Sequence, residues 1–185
     1  TVQDFSQLKD KHFVTALEAL AKENSAKDIL LPNVIDFFEK VKNSRIAVVT
    51  SCNRAAAQAL LRLTGLTEYV SVLIAAEDCE KHKPNPEGYN KAIEKLGVRS
   101  DQCVVVEDSI SGLMAGDHAN VGTVLFCAVL GDDAQHEQTL SELSFIPGKV
   151  FTNWAELEKD DIIIPGWEEV RDHASYAGTS SETCA

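Results

Sequence analysis

Three short stretches of the sequence carry side chains suited to a phosphate or a cation. Thr50, Ser51, Cys52 and Asn53 follow an apolar run and open an expected helix. Hydroxyls, an amide and free backbone N–H groups at a helix start can hold a phosphate. The same residue types are also ordinary N-caps, and taken alone capping is the commoner role. Lys83 lies in the loop 77–86, just before Pro84, with a second proline at Pro86. A residue before proline is biased to extended backbone, which would give the ammonium a defined direction. A solvated loop lysine is the bland alternative, and His82 reads as a loop residue. Glu107 and Asp108 end another apolar run, and Ser109 opens the helix after it. Adjacent carboxylates at the end of a buried strand need a cation or donors. They suit Mg2+, which takes one or two carboxylates and keeps its waters. Asp108 as a helix cap is the alternative.

The elements around these stretches alternate. Ile46-Ala47-Val48-Val49 is wholly apolar and β-branched, as in a strand buried on both faces. Further strands are expected over 70–75, 103–106, 123–129 and 150–152. Helices are expected over 54–64 with Gly65 as its cap, from Pro86 to Gly97, and over 109–118, with a helical turn from Trp154. Two more amphipathic helices precede them: one over 6–24, and one after Pro32 with Val34, Ile35, Phe38 and Val41 on one side. Strands alternating with helices imply right-handed βαβ units, hence an α/β, Rossmann-like parallel sheet with helices on both faces. Ligands in such sheets bind beyond the carboxyl ends of the strands, where all three stretches fall.

At 185 residues the chain suits one domain with a small appendage. Its net charge of −12 argues against nucleic acid and anionic membrane as partners, but not against a small anion held in a locally positive site. No apolar run approaches the ~18–20 residues of a membrane span, and nothing reads as a signal peptide. The five cysteines have no CxxC pair, which fits a reducing, cytoplasmic compartment and gives no zinc signal. Cys103 and Cys127 read as small core residues. From about Pro165 the chain turns polar, and 165–185 reads as a mobile tail.

Taken together, the stretches resemble the haloacid dehalogenase (HAD) superfamily. Ile46-Ala47-Val48-Val49-Thr50-Ser51 matches its second motif and Lys83-Pro84-Asn85-Pro86 its third. Val104-Val105-Val106-Glu107-Asp108-Ser109-Ile110-Ser111-Gly112 matches its fourth, in a form closest to the β-phosphoglucomutase-like, C1-capped branch. The resemblance covers about 30–130 well and 150–158 loosely. It implies a HAD-type core over 31–164 and the remnant of a helical cap over 1–30. It also implies a Mg2+-dependent phosphatase or phosphomutase for a small phosphorylated metabolite such as a sugar phosphate. By that resemblance Thr50 bonds the transferring phosphoryl group, and Ser51 and Asn53 line its loop. Lys83 neutralises the phosphoryl oxygens and the nucleophile. Asp108 and Glu107 hold Mg2+, and Ser109 fixes their loop.

The family's first motif, an apolar strand ending in DxDxT, finds no match. Asp132-Asp133 comes late with the wrong spacing, Asp160-Asp161 precedes its apolar run, and Asp4 has no strand before it. The nucleophilic carboxylate is therefore expected to be missing from this chain, through N-terminal truncation, and the chain to be inactive by itself. The alternative is a HAD-like binding or interaction module without catalysis. A flavodoxin- or response-regulator-like domain shares the sheet, but leaves the lysine and acidic pair unexplained. If the truncation reading holds, the strand ending at Thr50 and the strand ending at Glu107 should be separated by an open slot.

Overall fold

The computed structural model describes residues 29–158, with His12, Thr15, Ala16, Ala19 and Asp161 besides. The expected helix over 6–24 falls almost wholly outside these residues, as do most of the expected cap remnant and the tail over 165–185. The fold is α/β with parallel sheets, as the alternating pattern requires.

Two parallel units build it. In the first, strand β1 (Ile46–Val49) pairs in parallel with β2 (Val70–Ile74), joined by helix α2 (Arg54–Leu63). Helix α1 (Val34–Val41) precedes them. Helix α3 (Glu87–Leu96) follows, packs on β1 and β2, and closes at Gly97 in the left-handed region, φ 65°. In the second, β3 (Val104–Glu107), β4 (Thr123–Cys127) and β5 (Lys149–Phe151) form a parallel sheet in that order. Helix α4 (Ile110–His118) packs on β3 and β4.

Strand β4 is central to the second sheet and is buried on both faces. Side chains alternate across a strand, so Val124 and Phe126 pack with Tyr89, Val105 and Leu113, while Leu125 and Cys127 pack with Phe37, Val41 and Phe151. Gly116 of α4 is needed where that helix meets the sheet. A Cβ there would lie 3.0 Å from Val105 Cγ1 and 3.2 Å from Val124 Cγ2.

Four details depart from the sequence reading. The buried residues of α1 are Val34, Phe37 and Val41, not Val34, Ile35, Phe38 and Val41. Phe37 turns inward because α1 docks on the turn Trp154–Glu156, with the Phe37 and Trp154 rings 4.9 Å apart, while Phe38 meets Tyr69. Strand β3 extends through Glu107, which belongs to the sheet rather than to the loop after it. Cys103 is only half-buried, whereas Cys127 is buried as expected. Helix α5 (Asp133–Glu142) was not anticipated. Asp132 caps it through a reciprocal box with Gln135, a signal present in the sequence, but the helix buries no residue and so lacks an apolar face.

The two sheets are separate. Among the described residues β1 hydrogen-bonds only to β2, and β3 only to β4, so each has an edge that no described strand pairs. A cavity of about 350 Å³ lies between those edges, lined by all four residues of β1 and all four of β3, with Phe37, Tyr89, Ile93 and Trp154 around them. This explains an oddity of burial. The run Ile46–Val49, apolar enough for a strand covered on both faces, is only half-buried at every position. The indole N–H of Trp154, at the rim of this cavity, is buried with no hydrogen-bond partner among the described residues. Backbone groups on a sheet edge left without partners exchange readily. In hydrogen–deuterium exchange, the amides of β1 and β3 that face the slot should therefore exchange well before those of β4. Equal protection across β1, β3 and β4 would mean the slot is closed.

Candidate active site

Both unit ends point their carboxyl-terminal loops to one place. Thr50, Ser51, Lys83, Glu107, Asp108 and Ser109 all line an open pocket of about 380 Å³ at the ends of β1 and β3. The slot runs into this pocket, since Val49, Val106, Glu107 and Trp154 line both.

Lys83 is the link across it. Its ammonium donates to the carbonyl of Val49 at 3.1 Å, at the end of β1, and forms an ion pair with Glu107, at the end of β3. Both partners are largely buried, with side-chain exposures of 15% and 9%. Glu107 also accepts hydrogen bonds from the Tyr89 hydroxyl and, at 3.3 Å, from Ser109 Oγ. Burial first, and then the charge of Glu107, push the Tyr89 phenol far above its ordinary value of 10, so it stays a neutral donor.

Asp108 does not cap α4. Ser109 does, accepting from the Gly112 N–H at 3.1 Å. Asp108 is left exposed at the pocket with no hydrogen bond among the described residues. Thr50 Oγ1 accepts from the Cys52 N–H at 3.1 Å, and Ser51 is exposed beside it. Asn53 is the one expected site residue that does not line the pocket. Its Oδ1 caps α2, accepting from Ala56 N–H at 2.8 Å, while the Glu77 carboxylate takes the Arg54 N–H. The first donors of α2 are thus used within the protein.

The fold agrees with what the chain is similar to. The family model of the haloacid dehalogenase-like hydrolases matches residues 2–126. The chain belongs to this family. The pyrophosphatase PpaX of Halalkalibacterium halodurans is 32% identical over 136 residues, covering 70% of this chain and 63% of the relative. The fructose-1-phosphate phosphatase YqaB of Escherichia coli is 33% identical over 114 residues, covering 57% of this chain and 61% of the relative. Among solved structures, CbbY of Rhodobacter sphaeroides in complex with xylulose-(1,5)bisphosphate superposes with a TM-score of 0.71 at 25% identity, covering 88% of this chain and 69% of that one. The matched part thus spans somewhat less than two thirds of these two curated relatives.

Within this HAD-family core, the Lys83 loop is held by residues that the sequence reading passed over. Glu87, at the start of α3, accepts from the N–H groups of Glu80 at 3.0 Å and Lys81 at 2.8 Å and pairs with Lys91. The i, i+4 spacing of Glu87 and Lys91 was a visible signal for that pair. At the far side His118 Nδ1 lies 3.1 Å from the Pro84 carbonyl. The Lys91 hydrogen bond first, then the two backbone donors, hold the Glu87 carboxyl at about 2, below its ordinary 4.5. A carboxylate depressed in this way contributes stability above its unfolded value, and that contribution is lost as pH falls through the folded one. The loop 80–86 should therefore loosen between about pH 4.5 and pH 2. Glu87→Gln should flatten this part of the acid response, read as amide exchange of Glu80 and Lys81. An unchanged response in that variant would remove Glu87 as the loop's acid-sensitive clasp.

Proposed function

We propose that this chain is the core of a Mg2+-dependent HAD phosphatase or phosphomutase for a small phosphorylated metabolite, such as a sugar phosphate. The observation that carries the reading is the convergence of Thr50, Ser51, Lys83, Glu107, Asp108 and Ser109 on one pocket into which the slot opens. Phosphoryl transfer needs little covalent chemistry from a protein beyond a nucleophile. Positioning and neutralisation of charge do most of the work. Lys83 supplies a fixed positive charge, Thr50 and Ser51 supply hydroxyl donors, and the pocket is open to a small anion. The substrates named for the relatives, pyrophosphate and fructose 1-phosphate, are of that class.

No group of three or more His, Cys, Asp or Glu side chains converges among the described residues. Asp108, exposed and with no hydrogen bond among the described residues, fits a hard cation that keeps most of its waters. Glu107 stands behind it, engaged with Lys83, Tyr89 and Ser109. In this reading Asp108 is the ligand the chain offers and Glu107 an indirect one. Bound Mg2+ would add neutralising charge at the phosphoryl oxygens.

The nucleophile belongs in the slot. A parallel strand laid between β1 and β3 would satisfy both free edges and end beside Lys83. A carboxylate at that end would face the pocket. Nothing among the described residues fills this place.

The reading is tested on the chain as it stands by titrating inorganic phosphate with and without Mg2+, followed by 31P NMR. Phosphate should bind, and Mg2+ should tighten binding by roughly tenfold, the scale of a charge-assisted contact. Asp108→Asn should keep the fold and lose the Mg2+ effect. No phosphate binding at all, with or without Mg2+, would sink the phosphatase reading and favour a module that binds something else.

A further inference from the structure

Beyond the motif residues, we propose that Tyr89 is a positioning residue of this site, fixing Glu107 as the anchor that aims Lys83, and that Gly112 is present to admit the Glu107 carboxylate. The proposal rests on the phosphoryl-transfer reading for its purpose, but not for its geometry.

Tyr89 makes two contacts with the pair. Its hydroxyl donates to the same Glu107 oxygen, Oε1, that Lys83 engages. Its ring lies beneath the ammonium, with Lys83 Nζ 5.2 Å from the centroid. A cation over an aromatic face is attracted by the ring's quadrupole, more strongly when water is excluded, and Tyr89 is 7% exposed. Tyr89 thus restricts where the carboxylate and the ammonium sit.

The position of Tyr89 in the fold gives this restriction its reach. It stands on α3, which packs on β1 and β2, and its hydroxyl meets Glu107 at the end of β3. Together with Lys83 it ties the two sheets at the pocket, on either side of the slot.

Gly112 is the independent observation. A Cβ at this position would overlap the Glu107 carboxylate, colliding with Oε2, Cδ and Oε1. The first turn of α4 is thus cut back to let the carboxylate lie against it, where Ser109 Oγ reaches Oε2. Any larger side chain must push Glu107 out of the place where Tyr89 and Lys83 meet it.

A residue that merely fills the core would leave the lysine unaffected, so the test reads the lysine. Lysine ammonium protons exchange too fast to detect when solvated but are retained when held by fixed acceptors. In lysine-selective 1H–15N spectra at neutral pH, Lys83 should give a resolved ammonium signal, assigned by its loss in Lys83→Arg. Tyr89→Phe removes one oxygen and keeps the ring. It should abolish or strongly broaden that signal while the backbone amide spectrum stays folded. Gly112→Ala, which displaces the carboxylate from the other side, should do the same and decides the matter if Tyr89→Phe proves unfolded. A Lys83 signal that survives in either folded variant overturns the proposal, as does its absence from the parent protein. Loss of phosphate binding in the parent would instead count against the phosphatase reading, so the two failures are told apart.

Discussion

Fused upstream to a strand ending in Asp-x-Asp-x-Thr, the chain should hydrolyse an aryl phosphate on the order of 10^3-fold faster than the chain alone, or more, the scale on which removal of a nucleophile is felt. Two groups of observations lead to this. Lys83, Thr50 and Asp108 line one pocket, so the ammonium, hydroxyl and carboxylate that the proposed phosphoryl transfer would use are already together. What the described residues lack is a carboxylate aimed at phosphorus. The slot between β1 and β3 has the features an inserted strand requires: two unpaired edges, an apolar lining from both strands, and an opening into the pocket. Replacing the first Asp of the grafted strand by Asn should return activity to the level of the ungrafted chain. Robust turnover by the ungrafted 185-residue chain, abolished by Lys83→Ala, would show that the nucleophile lies elsewhere in this sequence.

The parts of this arrangement that sequence reveals are the ones fixed by local pattern. The β-branched runs become β1 to β4 because such side chains suit a buried pleated surface, and the turns after them carry the polar residues at the strand ends. Lys83, Glu107 and Asp108 were found by that route and do line one pocket. What local pattern hides is which partner each polar group chooses. Glu107 and Asp108 look alike as neighbours in the chain. In the fold, one is a strand residue gripped by three donors and the other an exposed carboxylate with none among the described residues. Asn53 and Ser51 look equally suited to phosphate, but helix capping claims Asn53. Tyr89 lies inside the helix expected from Pro86 to Gly97, and local pattern does not show that its hydroxyl partner is Glu107, 18 residues away in sequence. Gly112 reads as a motif glycine whose reason is visible only once the Glu107 carboxylate is seen against it.

The grip on Glu107 also sets the largest expected stability effect. Lys83→Met should destabilise the chain by about 3–5 kcal/mol, the usual consequence of removing one partner from a buried ion pair. Methionine keeps much of the side chain's volume, so the loss is electrostatic rather than a cavity. Among the described residues Glu107, at 9% exposure, is then left with Tyr89 and Ser109 as donors, and the Val49 carbonyl loses its ammonium. For a domain whose whole stability is on the order of 5–15 kcal/mol, this is a large fraction. The origin of the effect can be isolated by adding Glu107→Gln. A neutral amide costs far less to bury than an unpaired carboxylate, so the double variant should be more stable than Lys83→Met alone, recovering at least about half of the loss. Urea unfolding of the parent, both single variants and the double variant at pH 7 completes the cycle. If Lys83→Met costs less than about 1 kcal/mol, the range of an exposed pair, then Lys83 and Glu107 are solvated in solution. The ammonium would then lack the fixed direction that the pocket's chemistry requires. If the double variant is no better than the single, packing rather than charge is what Lys83 contributes.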